Sequence, residues 1–164
     1  MTRRLILIRH AKSGWDNIYA DDHARTLTER GQKAAQRIGV WLAEKDYSPD
    51  LILTSDATRA LQTTTMIKRG RNKSALIEEI AMLYHAAPET IQEYAQKTAA
   101  KTVAIVGHNP GIGMAARWLV TYAPAHRRFD DYPTCATTVI DFEDADWVKP
   151  GKGIATDFTV PRDL

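Results

Sequence analysis

Leu5-Ile6-Leu7-Ile8-Arg9-His10-Ala11-Lys12-Ser13 decides the reading of this chain. A short unbroken apolar run fits a strand buried on both faces, and here it stops at an arginine, a histidine and a lysine within four positions. In open α/β sheets ligands sit outside the carboxyl ends of the strands, so polar groups at that point stand where chemistry is done. The rest of the sequence is tested by asking whether other strands end in the same way.

Two more do. Leu51-Ile52-Leu53 reads as a second buried strand and runs into Thr54-Ser55-Asp56-Ala57-Thr58-Arg59-Ala60. Ser55 is suited to cap a helix burying Ala57, Ala60, Leu61, Thr64 and Ile67, with Arg59 in its first turn. Val103-Ala104-Ile105-Val106 is a third buried strand and ends in Gly107-His108-Asn109-Pro110-Gly111. Asn109 is a good N-cap and Pro110 a good first helical residue, so a helix with Ile112, Ala115, Ala116 and Leu119 inward begins there.

Between these landmarks, residues 11 to 25 form a polar loop with Trp15, Tyr19 and the acidic pair Asp21-Asp22, placed to rim or cover the first strand's end. Thr28 to Lys45 is an amphipathic helix with Thr28 as N-cap, ended at Ser48-Pro49-Asp50. Arg69 to Ser74 reads as a solvated turn, and residues 75 to 84 leave a short strand at Ala75-Leu76-Ile77 open. Pro88 starts a helix with Ile91, Tyr94, Ala95 and Thr98 inward. Pro124 to Pro133 is a loop, Thr137 to Phe142 a late strand, and Ile154 to Val160 a weak one. Alternating strands and helices predict a three-layer α/β/α sandwich with a mostly parallel central sheet, built as one domain over residues 1–164.

The composition excludes several classes. With 164 residues, 44% apolar and 26% charged, the chain can bury a core without disulfides, and its one cysteine, Cys135, rules out an internal disulfide framework or a CxxC pair. A lone cysteine fits a reducing compartment, so the expected location is the cytoplasm. No run approaches a membrane span, and the first apolar stretch is too short for a leader, so neither membrane nor secretory processing is expected. A net charge of +2, with basic residues spread along the chain, gives no nucleic-acid footprint. GxxxxGK[ST] and HExxH are absent, and no histidines or carboxylates fall at metal spacing. Gly107 to Gly113 also spells a glycine-rich loop, but it follows a late strand and lacks the acidic residue a dinucleotide site needs. Cys135 lacks a Cys-x5-Arg loop and reads as a buried small residue.

If the three strand ends converge, Arg9, His10, Arg59, His108 and Asn109 share one site with two helix amino termini. Arginine forks and helix termini suit the oxygens of a phosphate dianion. His10, its proton held on one nitrogen by a backbone carbonyl, then presents the other lone pair to phosphorus. Arg9, Arg59 and a protonated His108 neutralise the transition state, and water hydrolyses the phosphohistidine. Each residue alone also has a bland reading as a strand-end or surface group; the pattern repeated at three strands is what favours the site.

Arg9-His10, Ser55-Asp56-Ala57-Thr58-Arg59-Ala60-Leu61-Gln62-Thr63 and Gly107-His108-Asn109-Pro110-Gly111 resemble the three signatures of the histidine phosphatase, or phosphoglycerate mutase-like, superfamily. The chain from about residue 3 onward is similar to its small branch, the SixA-type phosphohistidine phosphatases. Leu27-Thr28-Glu29-Arg30-Gly31, Leu83-Tyr84-His85, Pro133-Thr134 and Pro161-Arg162-Asp163-Leu164 support the likeness. The resemblance implies His10 as phosphoacceptor, Arg9, Arg59 and His108 as the phosphate pocket, and neither metal nor other cofactor. Larger members carry Arg-His-Gly-Glu at the first signature, where this chain has Ala11-Lys12, and a proton-donating carboxylate later. For that donor Glu78 and Glu79 are the first candidates, with His85 and Asp22 behind them.

Weak provision of an acid favours a phosphoramidate, whose imidazole leaves more readily than an alkoxide. The short chain points to an open groove, so the expected partner is a phosphorylated protein, with a small phosphorylated molecule as the alternative and a non-catalytic phosphate-binding module as the third reading.

Overall fold

The computed structural model describes residues 1–15 and 17–164. Six strands, β1 (Thr2–Arg9), β2 (Leu51–Ser55), β3 (Leu76–Ile80), β4 (Thr102–Gly107), β5 (Thr137–Glu143) and β6 (Ile154–Thr159), form one sheet in the order β3-β2-β4-β1-β5-β6. β3, β2, β4 and β1 pair in parallel, β5 runs antiparallel to β1, and β6 antiparallel to β5. The mostly parallel α/β/α sandwich expected from the sequence is the observed architecture.

The apolar run of β1 is continuous because both faces of the sheet are covered. Side chains alternate along a strand, so Leu5 and Leu7 join Leu53, Val103 and Ile105 in one core layer, under α3 (Pro88–Gln96) and α4 (Gly111–Leu119). Ile6 and Ile8 join Ile52, Ala104 and Val106 in the other, under α1 (Glu29–Glu44) and α2 (Thr58–Arg69). Thr28 caps α1 as expected, its Oγ1 accepting from Gly31 N at 3.0 Å. The Lys12 carbonyl accepts from Thr28 N at 2.9 Å, which ties the start of α1 to the end of β1.

Several local expectations are corrected. Ser55 does not cap α2: Ala57 occupies the cap position, and Ser55, two residues before it, accepts from Ala57 N through Oγ while held against His108. α4 begins at Gly111 rather than Pro110, although Asn109 Oδ1 still accepts from Gly113 N at 3.2 Å. β3 extends to Ile80, longer than the open stretch at Ala75–Ile77, because β2 supplies a parallel partner along its whole length. The turn from Arg69 to Ser74 is not wholly solvated. Asn72 is 2% exposed, and its Nδ2 donates to Gly39 O, Ile67 O and Gly70 O at 2.8, 3.0 and 3.0 Å. It stitches α1 to α2 where they approach so closely that a Cβ on Gly39 would lie 2.4 Å from Ile67 O.

Register places the chemistry. Arg9 pairs with Gly107, Thr54 with Val106 and Ser55 with Ile80, so the ends of four parallel strands meet along one edge.

Candidate active site

His10 is the first residue beyond β1 and only 7% exposed. Its Nδ1 lies 2.8 Å from the Ala11 carbonyl oxygen, which can only accept, so Nδ1 carries the proton and Nε2 keeps its lone pair. Ala11 is itself fixed: its N–H donates to Thr63 Oγ1 at 2.9 Å, and that hydroxyl donates to Arg59 O at 2.7 Å. The turn that aims His10 is thereby bolted to α2.

Arg59, in the first turn of α2 and 2% exposed, joins both histidines. Its Nε donates to His10 Nε2 at 3.3 Å and its Nη2 to His108 Nδ1 at 3.3 Å. With Nδ1 accepting, His108 carries its proton on Nε2 and donates it to Ser55 Oγ at 2.8 Å. The two imidazole centroids are 5.2 Å apart. Arg9 donates from Nη1 to Tyr132 O at 3.1 Å, whereas its buried Nε has no partner among the described residues. Such a donor is costly unless an acceptor arrives.

Burial pushes the His10 imidazolium pKa down to about 4, outweighing the Ala11 hydrogen bond and helped by Arg59, Arg9 and Arg25. Burial, His10 and Arg59 likewise push His108 down to about 3. With no anion bound, burial and the facing Arg59 favour the neutral form of His108; the protonated form expected from the sequence belongs to the phosphoryl-bound state, where a dianion favours the proton. Arg9 is also lowered, by burial first, and remains a cation because guanidinium is so strong a base.

These groups line a hollow of about 210 Å3 together with Lys12, Ser13, Asp22, Arg25, His85 and Thr134. Asn109 reaches it too, but its side chain is engaged with the backbone, Nδ2 donating to Tyr132 O at 2.9 Å and Oδ1 accepting from Gly113 N. It therefore orients the loop after β4.

Asp22 was only a minor candidate in the sequence and is central in the fold. Its Oδ2 accepts from Arg59 Nη2 at 3.0 Å, from His85 Nε2 at 3.1 Å and from the Tyr84 hydroxyl, while Oδ1 accepts from Arg25 Nη1 at 3.0 Å. The Tyr84 hydroxyl, with His85, Arg25 and Arg59, holds this carboxyl well below the usual carboxylate range. Ser13, Arg25, Tyr84 and Thr134 are among the residues missed as site groups. The signal was present in the acidic pair at Asp21-Asp22 and in Leu83-Tyr84-His85, but neither lies beside an apolar strand end of the kind used to find the others. Glu78 and Glu79 are corrected as proton donors. Both are exposed on edge strand β3 and neither lines the hollow; Glu78 lines a separate surface depression with Leu51 and Tyr94. Among the described residues, no three His, Cys, Asp or Glu side chains are grouped to hold a metal ion, and no helix is long and apolar enough to cross a membrane. Cys135 is buried, and burial pushes its thiol up to about 12.

The profile of the histidine phosphatase superfamily (branch 1) matches residues 5–83. An uncharacterized Mycobacterium tuberculosis protein is 34% identical over 164 residues, covering 94% of this chain and 100% of its own length. An uncharacterized chloroplastic protein of Arabidopsis thaliana is also 34% identical, over 130 residues, but the match spans 73% of this chain and only 60% of that protein. Among solved structures, an Agrobacterium tumefaciens protein provisionally assigned as phosphohistidine phosphatase SixA superimposes with a TM-score of 0.78 at 30% identity, covering 97% of this chain and 98% of the other. The chain belongs to the histidine phosphatase superfamily, and its fold and family are those of a phosphatase.

Proposed function

We propose that residues 1–164 act as one cytoplasmic, metal-independent phosphohydrolase working through a phosphoryl group on His10, with phosphohistidine on a protein as the preferred substrate. The observation that carries this reading is the His10 tautomer: Nδ1–H is locked on Ala11 O at 2.8 Å, so the Nε2 lone pair faces the hollow that Arg9, Arg59 and His108 share. In the first step His10 Nε2 forms a bond to phosphorus as the phosphorus–nitrogen bond to the substrate imidazole breaks, and that imidazole leaves with a proton drawn from solvent, which the attacking water gives back in the second step. In the second, water attacks phosphorus and releases inorganic phosphate, returning His10 to its neutral form. Arg9 and Arg59 hold the equatorial oxygens, and His108 takes up a proton as the dianion enters. The provisional SixA assignment of the Agrobacterium tumefaciens structure supports the substrate class, and a single buried cysteine is compatible with a reducing compartment.

One observation favours a second reading, a small-molecule phosphomonoesterase. Asp22 and His85 lie together at the hollow, 3.1 Å apart, and such a pair can protonate an alkoxide. Rapid quench with a labelled phosphohistidine donor separates the cases: wild type is expected to trap an acid-labile, base-stable adduct that His10→Ala does not form. Equal label in His10→Ala defeats the mechanism, and turnover of alkyl monoesters above phosphoramidates favours the second reading.

A further inference from the structure

Beside the catalytic hollow lies a second one of about 290 Å3, and Lys12 and Thr134 form walls of both. Four cations line it, Lys12, Arg30, Arg128 and Arg162, and no acidic residue does. Arg128 is paired with Asp131 at 3.0 Å, but among the described residues Lys12, Arg30 and Arg162 have no carboxylate within ion-pair distance. A solvated protein surface normally intersperses the two signs, and clustering one sign costs repulsion unless an anion offsets it. Arg30 and Arg162 also line a third, wider hollow that continues along α1 to Arg37, whose guanidinium donates to the Pro161 and Leu164 carbonyls; Glu29 lines it too, paired with Lys33 at 3.2 Å. The three hollows form one mainly basic track that starts at the site of phosphoryl transfer, with Asp22 and Glu29, each already paired to a cation, as its acidic members.

We propose that this track binds the acidic side chains flanking the phosphorylated residue of a protein substrate. The inference rests on the phosphohistidine reading above and extends it to the substrate's surroundings. Length decides between a protein segment and a small polyanion. Arg30 and Arg37 are seven residues apart on α1, about 10 Å at the helical rise, which is roughly three residues of extended chain. Lys12 lies a further step toward His10, joined to the start of α1 through the bond from Thr28 N to its carbonyl. A compact metabolite filling the catalytic hollow reaches the nearest cations only, whereas an extended acidic segment meets all of them in turn.

The test compares two phosphohistidine peptides that differ only in their flanks, Asp and Glu in one, Ser and Gln in the other. At low salt wild type is expected to favour the acidic peptide by about tenfold in kcat/KM, through KM, with the preference fading as salt rises. Arg30→Ser with Arg162→Ser removes the preference and leaves p-nitrophenyl phosphate turnover within about twofold, since neither residue lines the catalytic hollow; Arg162→Ser alone is the milder variant if the pair folds poorly. A ratio near one in wild type, or a ratio that survives both substitutions, overturns the proposal. A small bisphosphate that loses as much from these substitutions as the acidic peptide does also overturns it. If neither peptide turns over while p-nitrophenyl phosphate does, the phosphohistidine reading has failed on its own. Competitive inhibition of that hydrolysis then decides the track: a stronger acidic peptide in wild type but not in the variant supports it, and equal inhibition overturns it.

Discussion

The Asp22 carboxylate stands 3.0 Å from Arg59 Nη2, and the Asp22 carbonyl takes Arg59 Nη1 at 2.6 Å. Because Arg59 Nε and Nη2 also face His10 and His108, every nitrogen of the guanidinium is engaged. A phosphoryl oxygen that takes the Nη2 edge of Arg59 competes with Asp22, and a carboxylate left nearby repels the dianion. Asp22→Asn is therefore expected to tighten inorganic phosphate roughly threefold to tenfold, read as its inhibition constant against p-nitrophenyl phosphate. Unchanged or weaker inhibition rules out competition between Asp22 and the ligand.

His85 carries a separate expectation. If its imidazole, held by Asp22, protonates the leaving group, His85→Asn should lower kcat on alkyl phosphates by about 10²-fold and barely affect p-nitrophenyl phosphate, whose phenolate leaves unaided. A uniform loss across leaving groups would assign His85 a structural role instead.

The two buried imidazoles make stability depend on pH. His10 and His108 bind protons more weakly folded, at about 4 and about 3, than at the ordinary 6.5. Between those limits the unfolded chain binds more protons, so their contribution is complete above about pH 6.5 and is lost as pH falls toward the folded values. Melting temperature should drop by roughly 10 °C from pH 7 to pH 5. His108→Asn should flatten that slope whatever it does to the absolute value; an unaltered slope in thermal scans would mean His108 is not buried neutral.

Asn72 predicts a stability effect remote from the site. Asn72→Ala leaves three backbone carbonyls at the α1/α2 crossing without their shared donor, at a cost of about 2–3 kcal/mol. Denaturant unfolding should show the loss, while phosphatase turnover per folded molecule stays as in wild type.

The most readable parts of the chain were the buried strands. Four apolar residues ending in Arg9-His10 announce both a two-sided strand and a polar edge, because hydrophobic burial acts locally and its period is written in adjacent residues. The same logic reached Arg59 and His108, each just beyond an apolar run. It failed at Ser55, where a contact with His108, 53 positions away, overrides the cap the local pattern favours. It failed again at Asn72, whose three acceptors come from both sides of a helix crossing.

By itself, then, the sequence determined the layers, the sheet's buried strands and the polar ends that carry His10, Arg59 and His108, since each follows from short-range patterns of apolar and polar residues. Tertiary structure alone decided that Asp22, Arg25, Tyr84 and His85 join them and that Glu78 and Glu79 do not. The reason is physical: a loop's charged groups have no periodic burial to reveal their direction, and their partners are fixed only when β1, β2 and β4 bring distant cations to one edge.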